Sequence, residues 1–192
     1  MDITALTARE VGALIGLVVI AVAGIAMLLV LRRRRTGRLR SRFGDAEYAR
    51  AVKEGGKRKA ETGLDRRTER VEGFHIRPLA PGDRARFLES WRGVQARFVD
   101  GPAGAVTEAD QLLGDVMATR GYPVVDFEQR AADISVDHPL VLMNYRTAHE
   151  TALRQTRGQA STEDLRQAMV HYRTLFEELV GEPEMPLNKV AS

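Results

Sequence analysis

The stretch "HPLVLMNYRTAHETAL", residues 138–153, holds two of the chain's four histidines, with Glu150 directly after the second. Histidine and glutamate at helical spacing are the raw material of a zinc hydrolase. In H-E-x-x-H, positions i and i+4 turn both imidazoles to one helix face around the metal, and the glutamate serves as general base. Here His149 and Glu150 fill the first two places, but the fifth is Leu153, which cannot ligate. The motif fails at the residue it needs. A looser, non-zincin site around Asp137, His138, His149 and Glu150, with Asp133 nearby, is the remaining enzymatic alternative. Against it, helix capping at "DHP" accounts for Asp137, and a surface position accounts for His138. His75 and His171 stand among charges and are expected to face solvent.

Other chemistries find less support. With no cysteine in the chain there is no disulfide, thiol nucleophile or thiolate metal ligand. No G-x-S-x-G elbow is present, and Ser41, Ser90, Ser135, Ser161 and Ser192 fall in helix or cap contexts. Glu163 with Asp164 and Glu177 with Glu178 are sequence neighbours that read as solvated helix faces. No Gly-rich phosphate loop occurs. The expectation is a chain without catalytic residues, cofactor or metal. In "WRGVQARFVD", Trp91 is expected to anchor a core, with a half-buried Gln95 bonding a neighbouring helix end.

The strongest signal is an address. Val11 to Leu31 reads "VGALIGLVVIAVAGIAMLLVL", 21 residues without a charge. At 1.5 Å per residue this spans about 31 Å, matching a hydrocarbon core roughly 30 Å thick. It has no polar face, which a soluble core helix would need. A cleaved signal peptide would carry its positive charge before the apolar run. Here "MDITALTARE" precedes it and "RRRRTGRLRSR" follows. Seven arginines follow the span: Arg32, Arg33, Arg34, Arg35, Arg38, Arg40 and Arg42. By the positive-inside rule the N-terminus is outside and everything after Leu31 is cytoplasmic. The same arginines are the candidate membrane-surface contacts, each attracted to anionic lipid by about 1 kcal/mol.

The formal charge of +3 conceals two opposite regions. Residues 32–77 carry 16 basic and seven acidic side chains, a net of +9, whereas residues 78–192 carry 12 and 17, a net of −5. The positive charge therefore belongs to a juxtamembrane segment. Only Phe43, Tyr48 and Phe74 interrupt that segment as aromatics, too few for a base-stacking surface, so no nucleic-acid partner is expected. Its composition predicts helix from about Leu39 to Phe74, with a break at Gly55–Gly56, where each glycine costs about 1 kcal/mol against alanine. A heptad through Ala60, Leu64, Arg67, Val71 and Phe74 extends backwards to Arg50, Lys53 and Lys57, a core too polar for a good coiled coil. Packing on the following domain, or lying over lipid, are the alternatives.

After the linker "HIRPLAPGD", four clear helical patterns and one short one follow. The first, near Asp83 to Val99, stripes Phe87, Trp91, Val94 and Phe98. The second starts behind Asp100 as N-cap, with Pro102 in the first turn, and ends at Gly121 before Pro123. A short helix opens at Asp126, with Gln129 at capping-box spacing. The next runs from "DHP" to Arg157, stopped by Gly158. The last opens at Ser161, with Asp164 to reciprocate, and stripes Leu165, Ala168, Met169, Tyr172, Phe176 and Leu179. Short loops between amphipathic helices predict an all-α bundle. The expected organisation is a short extracytoplasmic N-terminus (1–10), a transmembrane helix (11–31), a basic, mostly helical juxtamembrane segment (32–77), a helical domain (78–181) and a disordered tail (182–192).

Four stretches, "FGDAEYARAV", "HIRPLAPGDRARFLESWRGVQARFVDGPAGAVTEAD", "RGYPVVDFEQRAADISVDHP" and "STEDLRQAMVHYRTLFEELV", carry a resemblance. They resemble a group of small bacterial, largely actinobacterial, proteins with one N-terminal span and no established function, some labelled secreted. The arginine-rich, alanine- and glycine-rich composition suits such a GC-rich source. The resemblance implies membrane anchoring and brings no catalytic residues. Together these features point to a membrane-tethered interaction module in the bacterial cell membrane, with the bilayer and an unidentified protein as partners. The cytoplasmic fragment 78–192 is expected to fold alone.

Overall fold

The computed structural model describes residues 8–181, with side chains from residue 16 onward. Those residues are all-helical: α1 (Ala8–Glu72), α2 (Pro81–Arg97), α3 (Pro102–Arg120), α4 (Phe127–Asp137), α5 (Pro139–Thr156) and α6 (Thr162–Val180). The expected disordered tail, and most of the short N-terminal segment, lie outside the described residues.

α1 is broken twice. Gly44 (φ 74°, ψ 160°) and Gly56 (φ 74°, ψ 161°) occupy a backbone region essentially closed to other residues. The chain reverses at each, leaving three helical arms, 8–43, 45–55 and 57–72. Arg35 meets Asp65 and Arg42 meets Glu72, so the first and third arms run parallel. Glu47 meets Arg67 and Tyr48 meets Glu61, which makes the middle arm the antiparallel return. The break at Gly55–Gly56 is the one the sequence announces. The reversal at Gly44 corrects the reading of uninterrupted helix from Leu39 to that point.

The arms close on a small core of Leu39, Phe43, Tyr48, Leu64 and Val71, completed by Val136 of α4. Of the two alternatives for residues 39–74, packing on the domain is observed, against α4 and α5. Residues 16–31 of the apolar run are exposed and contribute to no core. Among the described residues, the helix from Gly16 is long and apolar enough to cross a membrane, and none of its apolar window is buried.

The main core belongs to α2–α6. α6 packs along α5 and α3, with α2 laid against α3. Trp91 stacks on Phe176 with ring centroids 4.7 Å apart, the anchoring role its stripe predicts. Gln95 is exposed rather than half-buried, because Val94 takes the inward position. Phe74 and Ile76 touch both cores, so the arms of α1 and the bundle are continuous in packing.

Helix ends follow local chemistry. Ser161 and Asp164 form the reciprocal capping box at the start of α6. Asp126 accepts from the Gln129 backbone N–H at 2.9 Å, but the Gln129 side chain turns to Asp133, so this is a simple N-cap. α3 is capped at Gly101 without a side chain, and Asp100 lies one residue too early to serve. The carbonyl end of α6 is closed by arginines: Arg84 donates to Val180 and Gly181, and Arg120 to Leu179. Both cations also suit the negative pole of the helix.

Gly121 ends α3 at φ 104° while the linker crosses it, Arg77 N–H donating to the Arg120 carbonyl at 2.8 Å. A Cβ on Gly121 would collide with the His75 carbonyl. Gly121→Ala should therefore cost roughly 2–3 kcal/mol, left-handed strain and overpacking together. Denaturant unfolding of the two proteins measures it.

Candidate functional site

The structure does not bring Asp137, His138, His149 and Glu150 together. His138 places Nδ1 3.0 Å from Glu178 Oε1. Asp137 is the last residue of α4 and accepts from the Tyr122 hydroxyl at 3.0 Å, which corrects its reading as the cap of α5. His138 itself occupies that cap position, with no side-chain hydrogen bond to the helix. Glu150 is exposed. The His138 and His149 side chains are both largely buried, at 12% and 21% exposure, but they face different partners. Among the described residues no group of three or more His, Asp or Glu could hold a metal ion.

His149 belongs to a polar cluster inside the bundle. Its ring stacks on Phe127, centroids 3.5 Å apart and the planes nearly parallel at 5°. Nδ1 faces Asp110 Oδ1 at 3.9 Å, beyond direct hydrogen-bond length. Arg130 Nη2 donates to the other Asp110 oxygen at 3.3 Å. Tyr145 and Tyr172, both fully buried, face the same carboxylate. Burial pushes the ionisation of both tyrosines well above the usual range, and the carboxylate adds to it. For Asp110 itself burial acts upward, but the facing His149 and Arg130 outweigh it, holding the carboxyl below its ordinary value of 3.8.

An aspartate opposite an imidazole is half of a nucleophile-activating triad. The other half is missing here: Phe127 covers a face of the ring, and the hydroxyls beside Asp110 are tyrosines held protonated. The cluster gathers polar groups from four helices, Asp110 from α3, Arg130 from α4, Tyr145 and His149 from α5, and Tyr172 from α6. Arg130 to Asp110 is its hydrogen bond, and the two tyrosine hydroxyls and His149 Nδ1 are buried without a partner.

A second polar set joins the arms to the bundle. Asp133 of α4, 1% exposed, accepts from Arg70 Nε at 3.1 Å and from Gln129 Nε2 at 2.7 Å. Glu47 of the middle arm is buried between Arg67 at 2.6 Å and Arg146 of α5 at 3.6 Å. Arg146 also holds Glu128 at 3.1 Å, and Arg50 approaches the same carboxylate at 4.0 Å. Arg70→Ala leaves a buried carboxylate with Gln129 alone. We expect a loss of about 2 kcal/mol, below that for a fully buried pair because Arg70 is itself partly exposed. Amide hydrogen exchange of the third arm should rise more than that of α6.

The seven arginines after the apolar run divide by use. Arg35 donates to Asp65, Arg42 lies 3.4 Å from Glu72, and Arg40 lies 3.8 Å from Asp45. Arg32, Arg33, Arg34 and Arg38 are exposed and form no ion pair among the described residues.

No family model matches the chain, and neither a curated protein nor a solved structure matches it.

Proposed function

We propose that this protein is a membrane-tethered helical adaptor: an N-terminal span, a cytoplasmic all-α domain, and a protein partner docked on that domain. The observation that carries the reading is the continuity of an unburied apolar helix with a folded bundle. Buried carboxylates of the bundle are held in ion pairs, Asp110 with Arg130 inside it and Asp133 with Arg70 from the third arm of α1. Kinship with the bacterial single-span group is part of the proposal and rests on the four sequence stretches quoted above. The positive side chains after Leu31 support the orientation, with the domain in the cytoplasm.

The tether and the adaptor role are tested together by in-cell cross-linking and affinity capture. Full-length protein is compared with a version lacking residues 78–192. A partner recovered near stoichiometry with the full chain, and absent without the domain, supports the reading. Equal recovery from both, or none from either, counts against it. A reporter fused to the C-terminus, active only outside the cell, should stay silent.

A further inference from the structure

The reversals at Gly44 and Gly56 return one part of the chain to where the apolar run ends. From Leu31 to the turn at Gly44 the first arm climbs about 20 Å, and the middle arm of 45–55 descends about 16 Å. The Gly55–Gly56 tip thus lies within about one helical turn of the level of Leu31. The side-chain register agrees. The first and third arms meet at offsets of 25 residues (Thr36 with Glu61) and 30 residues (Arg35 with Asp65). Those offsets place Lys57 level with residues 27–32.

The tip is basic and uncovered. Lys53, Lys57, Arg58 and Lys59 are all exposed, beside the equally exposed Arg32, Arg33 and Arg34. The nearby carboxylates are already engaged: Glu54 by Arg50 at 3.0 Å, and Glu61 by Thr36 at 2.6 Å and Tyr48 at 3.0 Å. Lys57 comes no nearer to Glu61 than 3.9 Å. The arms pack on α4 and α5, so the bundle does not cover the tip.

We propose that this tip is a second lipid-contact surface, in which Lys53, Lys57, Arg58 and Lys59 bind anionic phospholipid headgroups beside Arg32–Arg34. Residues 32–72 are then clamped to the bilayer at two points rather than one, which fixes the tilt of the domain packed on them. The inference rests on the apolar run spanning the membrane. Basic groups at this level are drawn to an anionic leaflet, and the attraction decays within a Debye length.

The absence of cysteine permits a direct test on the full chain. Single variants Ile20→Cys, Glu54→Cys and Gln111→Cys are labelled with a fluorophore and reconstituted in nanodiscs, with or without phosphatidylserine. Lipids brominated in the acyl chain and lipids spin-labelled in the headgroup serve as quenchers. The label at 20 should respond to the brominated lipid, which checks the span independently. With phosphatidylserine present, the label at 54 should be quenched by headgroup spin about threefold or more over the label at 111, and about 0.5 M salt should weaken this. Replacing Lys53, Lys57, Arg58 and Lys59 by Gln should abolish the phosphatidylserine dependence. Failure at 20 removes the span and the proposal with it. Quenching at 20 but not at 54 keeps the span and overturns the returned tip. Quenching at 54 that ignores lipid charge and salt overturns headgroup recognition.

Discussion

Replacing Gly44 and Gly56 together by alanine should open the three-armed fold of α1. At φ 74° with ψ near 160°, each position costs a side chain about 1–3 kcal/mol. The same substitutions favour continuous helix by about 1 kcal/mol each. Both terms push toward a straight α1. Opposing them is the small core of Leu39, Phe43, Tyr48, Leu64, Val71 and Val136, which exists only while the arms are folded. Spin labels on Arg38→Cys and Glu69→Cys, two exposed positions, report the outcome. Folded arms hold them on adjacent parallel helices, about 10–20 Å apart. A straight helix separates 31 residues by about 46 Å. We expect the double variant to gain a population near the longer distance. Gly24→Ala and Gly37→Ala, where a Cβ meets nothing within 4 Å, should leave the short distance unchanged.

The second large effect is expected at Asp110. Asp110→Ala strands the Arg130 guanidinium, only 15% exposed, and leaves His149, Tyr145 and Tyr172 facing an apolar gap. The expected loss is about 3–5 kcal/mol, the range for breaking a buried pair by removing one partner. Combining Asp110→Leu with Arg130→Leu should restore part of it, since an apolar pair leaves no stranded charge. The pH dependence follows from the lowered carboxyl. A group ionising more easily when folded contributes stability above its ordinary value of 3.8 and loses it as pH falls through the lower folded value. The stability gap between the native protein and Asp110→Asn should therefore be full at neutral pH and shrink below pH 3.8. Denaturant titrations across that range measure it.

These two sites also show what a linear reading can reach. Capping at Ser161, Asp126 and Gly121 was legible because each cap is local, a side chain or glycine acting within three residues. The break at Gly55–Gly56 was legible for the same reason: two adjacent glycines weaken any helix. Gly44 is a single glycine in "RFGDAEY", and one glycine costs a helix too little to reveal a reversal. What requires it is tertiary, the meeting of Phe43 with Leu64 and Val71 from the third arm.

The Asp110 cluster was hidden more completely. In "TEADQLL" the aspartate carries no local signal, and the groups around it, Arg130, Tyr145, His149 and Tyr172, lie on three other helices. Periodicity finds apolar stripes, but polar groups on neighbouring faces meet only when the bundle closes. Arg67 shows the converse. It counted among the polar positions of a poor coiled-coil heptad, yet it is half-buried against Glu47, which the reversal at Gly56 brings back beside it. His149 stands out in the sequence as a histidine followed directly by a glutamate on a helix. Its partner was an aspartate on α3 rather than Asp137 or His138 beside it.

The account centres on a domain held at the bilayer to dock a partner. Its most direct test is site-specific photo-cross-linking in intact membranes, with a photoreactive residue placed singly at exposed positions around the bundle. Leu140 and Met143 on α5 would be compared with Glu89 on α2 and Gln111 on α3. The account predicts one adduct of defined mass, formed from positions clustered on a single face and lost when Gly121→Ala loosens the bundle. Weak adducts scattered over every face, or none from any, would contradict it.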